Sequence, residues 1–173
     1  MEDIMSQSFM DNLKNELKKA VSQHYRTLME RYPEEDFYGY SLYTSDDVSS
    51  IGPVSNRVSS LKTVISDPMY VYYRYSPDEW SDWDDLGLFD QVNRMIKAYC
   101  EEMDDDFGKF REDVLRQALQ TLIELEVEGL FGVKDDQRFL ILWLSGSADP
   151  IMDAAARALN TQKAYEKFAS EFS

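Results

Sequence analysis

The sequence predicts an α+β fold: a small, mostly antiparallel sheet flanked by a long N-terminal helix and two to three further helices. The N-terminal 32 residues carry apolar side chains at helical spacing. Segments 37–44 and 69–75 are aromatic and alternate polar with apolar residues, which is typical of strands with one covered face. Segment 139–144 is continuously apolar, as expected for a strand buried on both faces.

The first helix is predicted over about residues 4–32, and Pro33 ends it because its ring cannot continue a helix. One apolar stripe recurs at spacings of three and four residues: Phe9, Leu13, Leu17, Val21, His24 and Leu28. After the strand at 37–44, turn-forming residues predict a loop over 45–53. Residues 55–66 are expected to form a short helix with its apolar side chains on one face.

A second strand is predicted over 69–75, directly after the chain break at Asp67-Pro68. Two amphipathic helices follow at about 87–103 and 107–128, and Asp106 can cap the second of them. Gly129 is placed to end the second of these helices, since glycine readily adopts the left-handed conformation of a C-cap.

The strand at 139–144 is the most apolar, so we expect it to be central in the sheet. Asp149 and Pro150 resemble an N-cap followed by proline at the first helical position. A last helix is predicted near 161–171, capped by Asn160. No repeat or linker divides the chain, and we interpret residues 1–173 as one domain.

The net charge of −15 is concentrated in residues 78–106, which hold eleven acids and two bases. Such a surface disfavours nucleic acid and anionic membranes and favours a protein partner with a basic surface. No apolar run reaches the roughly 20 residues that span a bilayer. The N-terminus lacks signal-peptide features, and the single Cys100 excludes an internal disulfide. We therefore expect a cytoplasmic protein.

The sequence contains few of the residues and motifs that commonly act in catalysis or bind metals and phosphates. The only histidine, His24, lies on the buried stripe, and Cys100 lies beside Glu101 and Glu102, which would make its thiol less reactive. Residues 82–93 resemble a calcium loop at Asp82, Asp84 and Gly87, its positions one, three and six. Leu86 and Asn93 stand at positions five and twelve, where the loop needs an oxygen ligand and a bidentate Glu, so the match fails. Phosphate-binding glycine motifs are missing as well. We therefore predict no catalytic residue, no metal and no cofactor.

The most distinctive stretch is 72–80. Ser76 is interpreted as an N-cap, Pro77 as the first helical residue and Glu79 as the closing member of a capping box, with Trp80 filling the joint between strand and helix. This interpretation gives Arg74 no role. A guanidinium in an aromatic strand must stack on rings or pair with a carboxylate. The nearest carboxylates in sequence are Asp78 and Glu79.

The chain resembles a bacterial family, domain of unknown function 4303, in several pieces that keep order and spacing over most of its length. These are residues 37–47, 74–80, 89–93, 128–132 and the strand ending at Ser145. Tyr75 stands where the family often has Trp. The resemblance implies a small acidic bacterial cytoplasmic protein. It implies no activity, but the family is associated with families of toxin-neutralising immunity proteins.

Three functions stay open. The leading hypothesis is a non-enzymatic protein-binding module, possibly of immunity type, that neutralises a basic toxin or other partner through an acidic face. The predicted contact residues are Asp82, Asp84, Asp85, Asp104, Asp105 and Asp106. The alternative is a small-molecule sensor or enzyme with a pocket lined by Arg74, Glu79, Trp80, Tyr38 and Tyr40. A subunit of a larger assembly is the third possibility, and the oligomeric state is left open.

Overall fold

The structure is a computed structural model, and it describes residues 2–103 and 106–173. The described residues form six α-helices and one four-stranded sheet, which confirms the α+β class. The helices are α1 Glu2–Arg31, α2 Tyr70–Tyr75, α3 Asp90–Glu102, α4 Phe107–Val127, α5 Pro150–Leu159 and α6 Gln162–Phe172. The strands are β1 Phe37–Ser45, β2 Ile51–Arg57, β3 Asp82–Trp83 and β4 Phe139–Ser145.

The strands lie in the order β3-β2-β1-β4. β1 pairs antiparallel with β2, and β2 pairs antiparallel with β3. β4 pairs parallel with β1, in a register that joins Gly39 to Phe139 and Ser45 to Ser145. The sheet is therefore mixed, with a parallel pair at one side whose carboxyl ends meet at the same edge.

The predicted central position of β4 is wrong, because β4 lies at the edge of the sheet. Its residues 139–144 are nevertheless all buried. The following helix α5 covers the free edge, and Asn160 binds the backbone of Leu140 through both its amide oxygen (2.8 Å) and its amide nitrogen (2.7 Å). A continuous apolar run thus signals burial, and a helix can supply that burial as well as a neighbouring strand can.

The region predicted as a loop at 45–53 and a helix at 55–66 contains β2, followed by a 3₁₀ turn at Val58–Ser60. Gly52 and Pro53 are turn formers that here lie inside a strand. β3 pairs only with Val54 and Ser55, so Pro53 lies beyond the residues that need an N–H for that ladder. Pairing with β1 over its whole length outweighs the local preference for a turn.

The predicted strand at 69–75 is the short helix α2. Its alternating tyrosines suggest a strand, but the buried members are the adjacent Arg74 and Tyr75 at the end of the helix. Aromatic β-propensity depends on context, and one helical turn places both buried side chains against the rest of the protein.

The ends of the helices agree with the sequence-based predictions better than the strands do. Asp106 accepts a hydrogen bond from Lys109 N at 3.1 Å and caps α4, and Gly129 is left-handed (φ 86°) beyond its end. Asp149 caps α5 as predicted, accepting from Ile151 N at 2.9 Å. The cap of α6 is Thr161 and not Asn160, whose side chain is occupied at β4. Within the described residues, no helix combines the length and apolar character needed to cross a membrane.

Candidate functional site

Arg74 is a buried cation at the end of α2, with 5% of its surface exposed. Its guanidinium lies 4.2 Å from the ring centre of Tyr38. It donates to the Tyr70 hydroxyl at 3.2 Å and to the Gln137 carbonyl oxygen at 2.9 Å. Arg74 is therefore satisfied by a ring and by neutral oxygens, with little surface left for a ligand.

Glu79 is directed away from Arg74. It accepts hydrogen bonds from Lys62 Nζ at 2.8 Å and from the Tyr72 hydroxyl at 3.3 Å. The Lys62 ammonium is the main reason that the pKa of Glu79 is lower than usual. Of the two alternatives for Arg74, stacking on a ring is therefore observed and pairing with Asp78 or Glu79 is not. Glu79 closes no capping box, because its side chain is bound to another segment.

Two further predicted pocket residues converge on the backbone of Arg74. The Tyr38 hydroxyl and Trp80 Nε1 both donate to the Arg74 carbonyl oxygen, at 2.9 and 3.0 Å. The Trp80 ring lies against Gly39, where a Cβ atom would stand 2.7 Å from it, so only glycine leaves room for that ring. Trp80 therefore fills the joint between β1 and the chain after α2, and not the predicted joint between a strand at 69–75 and the helix after it.

Tyr40 lies in a different part of the core. Its hydroxyl is 3.0 Å from His24 Nδ1, and both side chains are buried. Burial raises the pKa of Tyr40 well above its ordinary value and lowers the pKa of His24. Both groups are thus held neutral at neutral pH, in agreement with His24 as a packed core residue.

Tyr38 and Tyr40 do line a common cavity, but its volume is about 30 Å³ and its polar wall is Arg138, not Arg74. A space of this size holds about one water molecule. The structure therefore brings together Arg74, Tyr38 and Trp80 as a hydrogen-bonded cluster, while Glu79 and Tyr40 lie elsewhere. The arrangement stabilises the fold and offers no opening for a metabolite.

Two of the predicted contact acids hold the segment 82–88 in place. Asp82 binds Arg57 through two hydrogen bonds of 3.0 Å. Asp84 accepts hydrogen bonds from the backbone N–H groups of Leu86 and Leu88, at 2.9 and 3.0 Å. Each carboxylate is used by its own chain, and the result is a fixed loop after β3.

The remaining predicted acids are placed differently. Asp85 is exposed and lies 3.1 Å from Arg31. Asp106 is exposed and caps α4. Asp104 and Asp105 lie outside the described residues. Among the predicted acids that the structure describes, Asp85 is thus the one that best presents its charge to a partner, because an exposed ion pair binds its carboxylate only weakly.

Sequence reasoning missed two apolar side chains in the same segment. Trp83 and Leu86 are 47% and 48% exposed. Trp83 lies on the edge strand β3 and packs edge-on against Tyr43, with 5.0 Å between ring centres. Trp83, Asp85 and Leu86 are called the Trp83 patch below. Its signal in the sequence is a large aromatic residue between acids at a position that no apolar periodicity assigns to the core.

Among the side chains that the structure describes, no three His, Cys, Asp or Glu residues converge as a possible metal site. One family model, described as a domain of unknown function (DUF4303), matches residues 17–161 and hence most of the chain. No curated protein matches the sequence significantly. No solved structure does so either.

Proposed function

Because the chain belongs to the DUF4303 family, whose description supplies no activity, we propose a function from its own surface: a non-enzymatic protein-binding module of the bacterial cytoplasm. It binds a partner with a basic surface through the Trp83 patch. The observation that carries the proposal is the half-exposed pair Trp83 and Leu86 inside the most acidic segment of the chain.

The composition of the Trp83 patch is that of a binding hot spot. Interface centres are enriched in aromatic residues, and their rims are polar. Here Trp83 and Leu86 offer the apolar centre, and Asp85 lies between them in sequence as a charged neighbour. A basic partner could bury the indole while placing Lys or Arg side chains against the carboxylate.

The ion pairs within the chain leave its surface with an excess of carboxylates. At least eleven of the 18 Lys and Arg side chains form ion pairs within the described part of the chain. With a net charge of −15, few bases are left to oppose the surplus acids. The resulting field would attract a basic protein and accelerate its encounter with the patch.

The patch is also held in a fixed shape before binding. Asp82 is tied to Arg57, whose guanidinium lies 4.5 Å from the ring centre of Tyr32. Asp84 fixes the backbone of the following turn. A partner would therefore have little loop entropy to remove on binding, which favours affinity. In this proposal Asp82 and Asp84 position the patch, and Asp85 contacts the partner.

The more specific form of the proposal is an immunity-type role, in which the acidic face occludes a basic toxin. The charge surplus and the exposed Trp83 support it, because toxin neutralisation requires fast and tight occlusion of a basic surface. The test below detects any basic partner. It therefore establishes whether this surface binds a protein before the role of that protein is known.

The test begins with a photoreactive amino acid placed at position 83, and at Val133 as an exposed control. We expect one basic protein to be cross-linked in the native cell from position 83 and not from position 133. That protein is then purified and titrated calorimetrically with variants of this chain. Trp83→Ala should weaken binding by about tenfold or more, since central aromatic residues dominate interface energies.

Charge is tested separately. Asp85→Lys should slow association at low salt, whereas Glu166→Lys makes the same charge change at an exposed position of α6 and should have a much smaller effect. Equal cross-linking from both positions, or full affinity after Trp83→Ala and Asp85→Lys, would show that the Trp83 patch is not the binding surface.

A further inference from the structure

A cleft of about 610 Å³ opens at the carboxyl end of β4, between α2, the start of α5 and the end of α6. This volume is typical of sites for small molecules. Four aromatic side chains form much of its wall: Tyr72, Trp143, Phe168 and Phe172. They pack on one another, with Phe172 stacked on Tyr72 and on Phe168 and edge-on to Trp143, so the wall is a continuous aromatic surface.

Two lining residues carry buried polar groups without a hydrogen-bond partner. Trp143 is 7% exposed, and its indole N–H has no acceptor. Ser76 is 1% exposed, and its hydroxyl makes no hydrogen bond of normal geometry, although the Tyr72 phenol is nearby. Buried polar groups are nearly always paired in folded proteins, so two unpaired groups on one cleft require an explanation.

The charged part of the wall is acidic, and the lining residues include no Lys or Arg. Two of its carboxylates have a basic partner, since Asp149 lies 2.7 Å from Arg111 and Asp153 lies 3.4 Å from Arg157. The other two are Asp78 and Glu171, and neither has a basic partner in the described part of the chain. Asp78 accepts only from the Tyr43 hydroxyl, at 2.7 Å.

We propose that this cleft binds a small organic amine in its cationic form. The ammonium group is placed at Asp78 and Glu171, and the apolar body of the amine lies on the aromatic wall, where rings also attract cations. The indole N–H of Trp143 and the hydroxyl of Ser76 donate to an oxygen or nitrogen on the ligand. An anionic ligand is disfavoured, because the wall offers it negative charge without a base.

This site goes beyond the partner-binding surface, and the two use different residues. The cleft depends on Trp143, Ser76 and Glu171, whereas the protein surface depends on Trp83 and Asp85. Loss of partner binding in the Asp85→Lys variant would leave amine binding intact, so failure of one proposal is distinguishable from failure of the other.

The experiment is a titration of the full chain labelled with ¹⁵N, read at the indole N–H resonances and assigned with Trp143→Phe. The probes are tyramine, 4-ethylphenol and 4-hydroxyphenylacetate, which share a phenol and differ in charge. Tyramine should shift the Trp143 resonance, and the neutral and anionic probes should bind at least about tenfold more weakly, since hydrogen bonds to charged groups are the stronger ones. The Trp80 indole, already bonded to Arg74, is the internal control.

Variants then locate the charge recognition. Glu171→Gln and Asp78→Asn should each weaken tyramine binding about tenfold, and Glu166→Gln on the same helix should not change it. Thermal unfolding checks that each variant is folded. The proposal is overturned if tyramine, putrescine and choline at millimolar concentration leave Trp143 unshifted. Equal shifts from the three phenols would likewise show that the cleft does not select a cation.

Discussion

Trp80 and Trp143 are both buried, but their surroundings in the fold differ. Trp80 lies beside β1, and its indole N–H donates to the Arg74 carbonyl oxygen at 3.0 Å. Trp143 lies on β4, and its indole N–H has no acceptor. Around Trp80 the packing leaves no room for a Cβ atom on Gly39, whereas Trp143 borders a cleft of about 610 Å³.

The difference separates a stabilising cluster from a candidate binding site. The groups around Arg74 bond to one another and exclude ligands, although their residue types suggested a pocket in the sequence. The cleft at Trp143 is lined by two residues whose buried polar groups have no hydrogen-bond partner, and a ligand could pair them. Buried polar groups are thus informative only together with the partners that the fold gives them.

The sharpest test of this comparison replaces each tryptophan by phenylalanine. Trp80→Phe should lower the free energy of unfolding by about 2–4 kcal/mol, because it removes a hydrogen bond and opens space in a closed core. Trp143→Phe should cost about 1 kcal/mol or less, since it also removes an unpaired buried N–H. Urea unfolding followed by circular dichroism measures both. Equal losses would mean that Trp143 is as much a part of the stabilising core as Trp80.

Packing around Trp80 can be tested from the opposite side. Gly39→Ala places a methyl group against the buried Trp80 ring and should cost about 1–3 kcal/mol. Gly52→Ala is the matched control on the paired strand, because nothing lies within 4 Å of its Cβ position. It should change the free energy of unfolding by less than about 0.5 kcal/mol. A small effect of Gly39→Ala would show that Trp80 can move, and that its cluster is looser than described.

The smallest expected effect concerns His24, the only histidine in the chain. Desolvation lowers its pKa in the folded state below 6.5, against an opposing effect of Asp84 and Asp85. Below pH 6.5 the unfolded chain therefore binds the proton more readily than the folded protein. The free energy of unfolding should fall as the pH is lowered from about 7.5 to about 5.5, above the range in which the carboxylates titrate.

His24→Gln removes the titrating group and should flatten that pH dependence, as measured by urea unfolding at several pH values. Tyr40→Phe removes only the hydroxyl partner of His24 and should retain a slope. A slope that persists unchanged in His24→Gln would assign the effect to other groups.

Sequence reasoning succeeded where local chemistry is strong. The stripe of α1, the caps Asp106 and Asp149 and the terminator Gly129 all act within one or two helical turns. It failed at β2 and α2. Long-range pairing and packing place turn-forming residues in the strand β2 and aromatic residues in the helix α2. Local preference amounts to a fraction of a kcal/mol per residue, and tertiary contacts readily exceed it.

The candidate sites show the same division. Residues 78–106 were recognisable as an acidic segment, but Asp82 and Asp84 proved to be occupied by Arg57 and by backbone N–H groups. Which carboxylates stay available depends on partners that are far apart in sequence. The exposure of Trp83 and the cleft at Trp143 likewise depend on contacts between distant parts of the chain.

The sequence by itself determined the α+β class, the family, the long first helix and the place of the surplus negative charge. These depend on composition, periodicity and caps, which act over short distances. Only the tertiary structure decided that β4 lies at an edge, that Arg74 is closed off and that Ser76 and Trp143 remain unpaired. A hydrogen bond requires two groups at the right distance and angle, and folding alone brings together groups from distant parts of the chain.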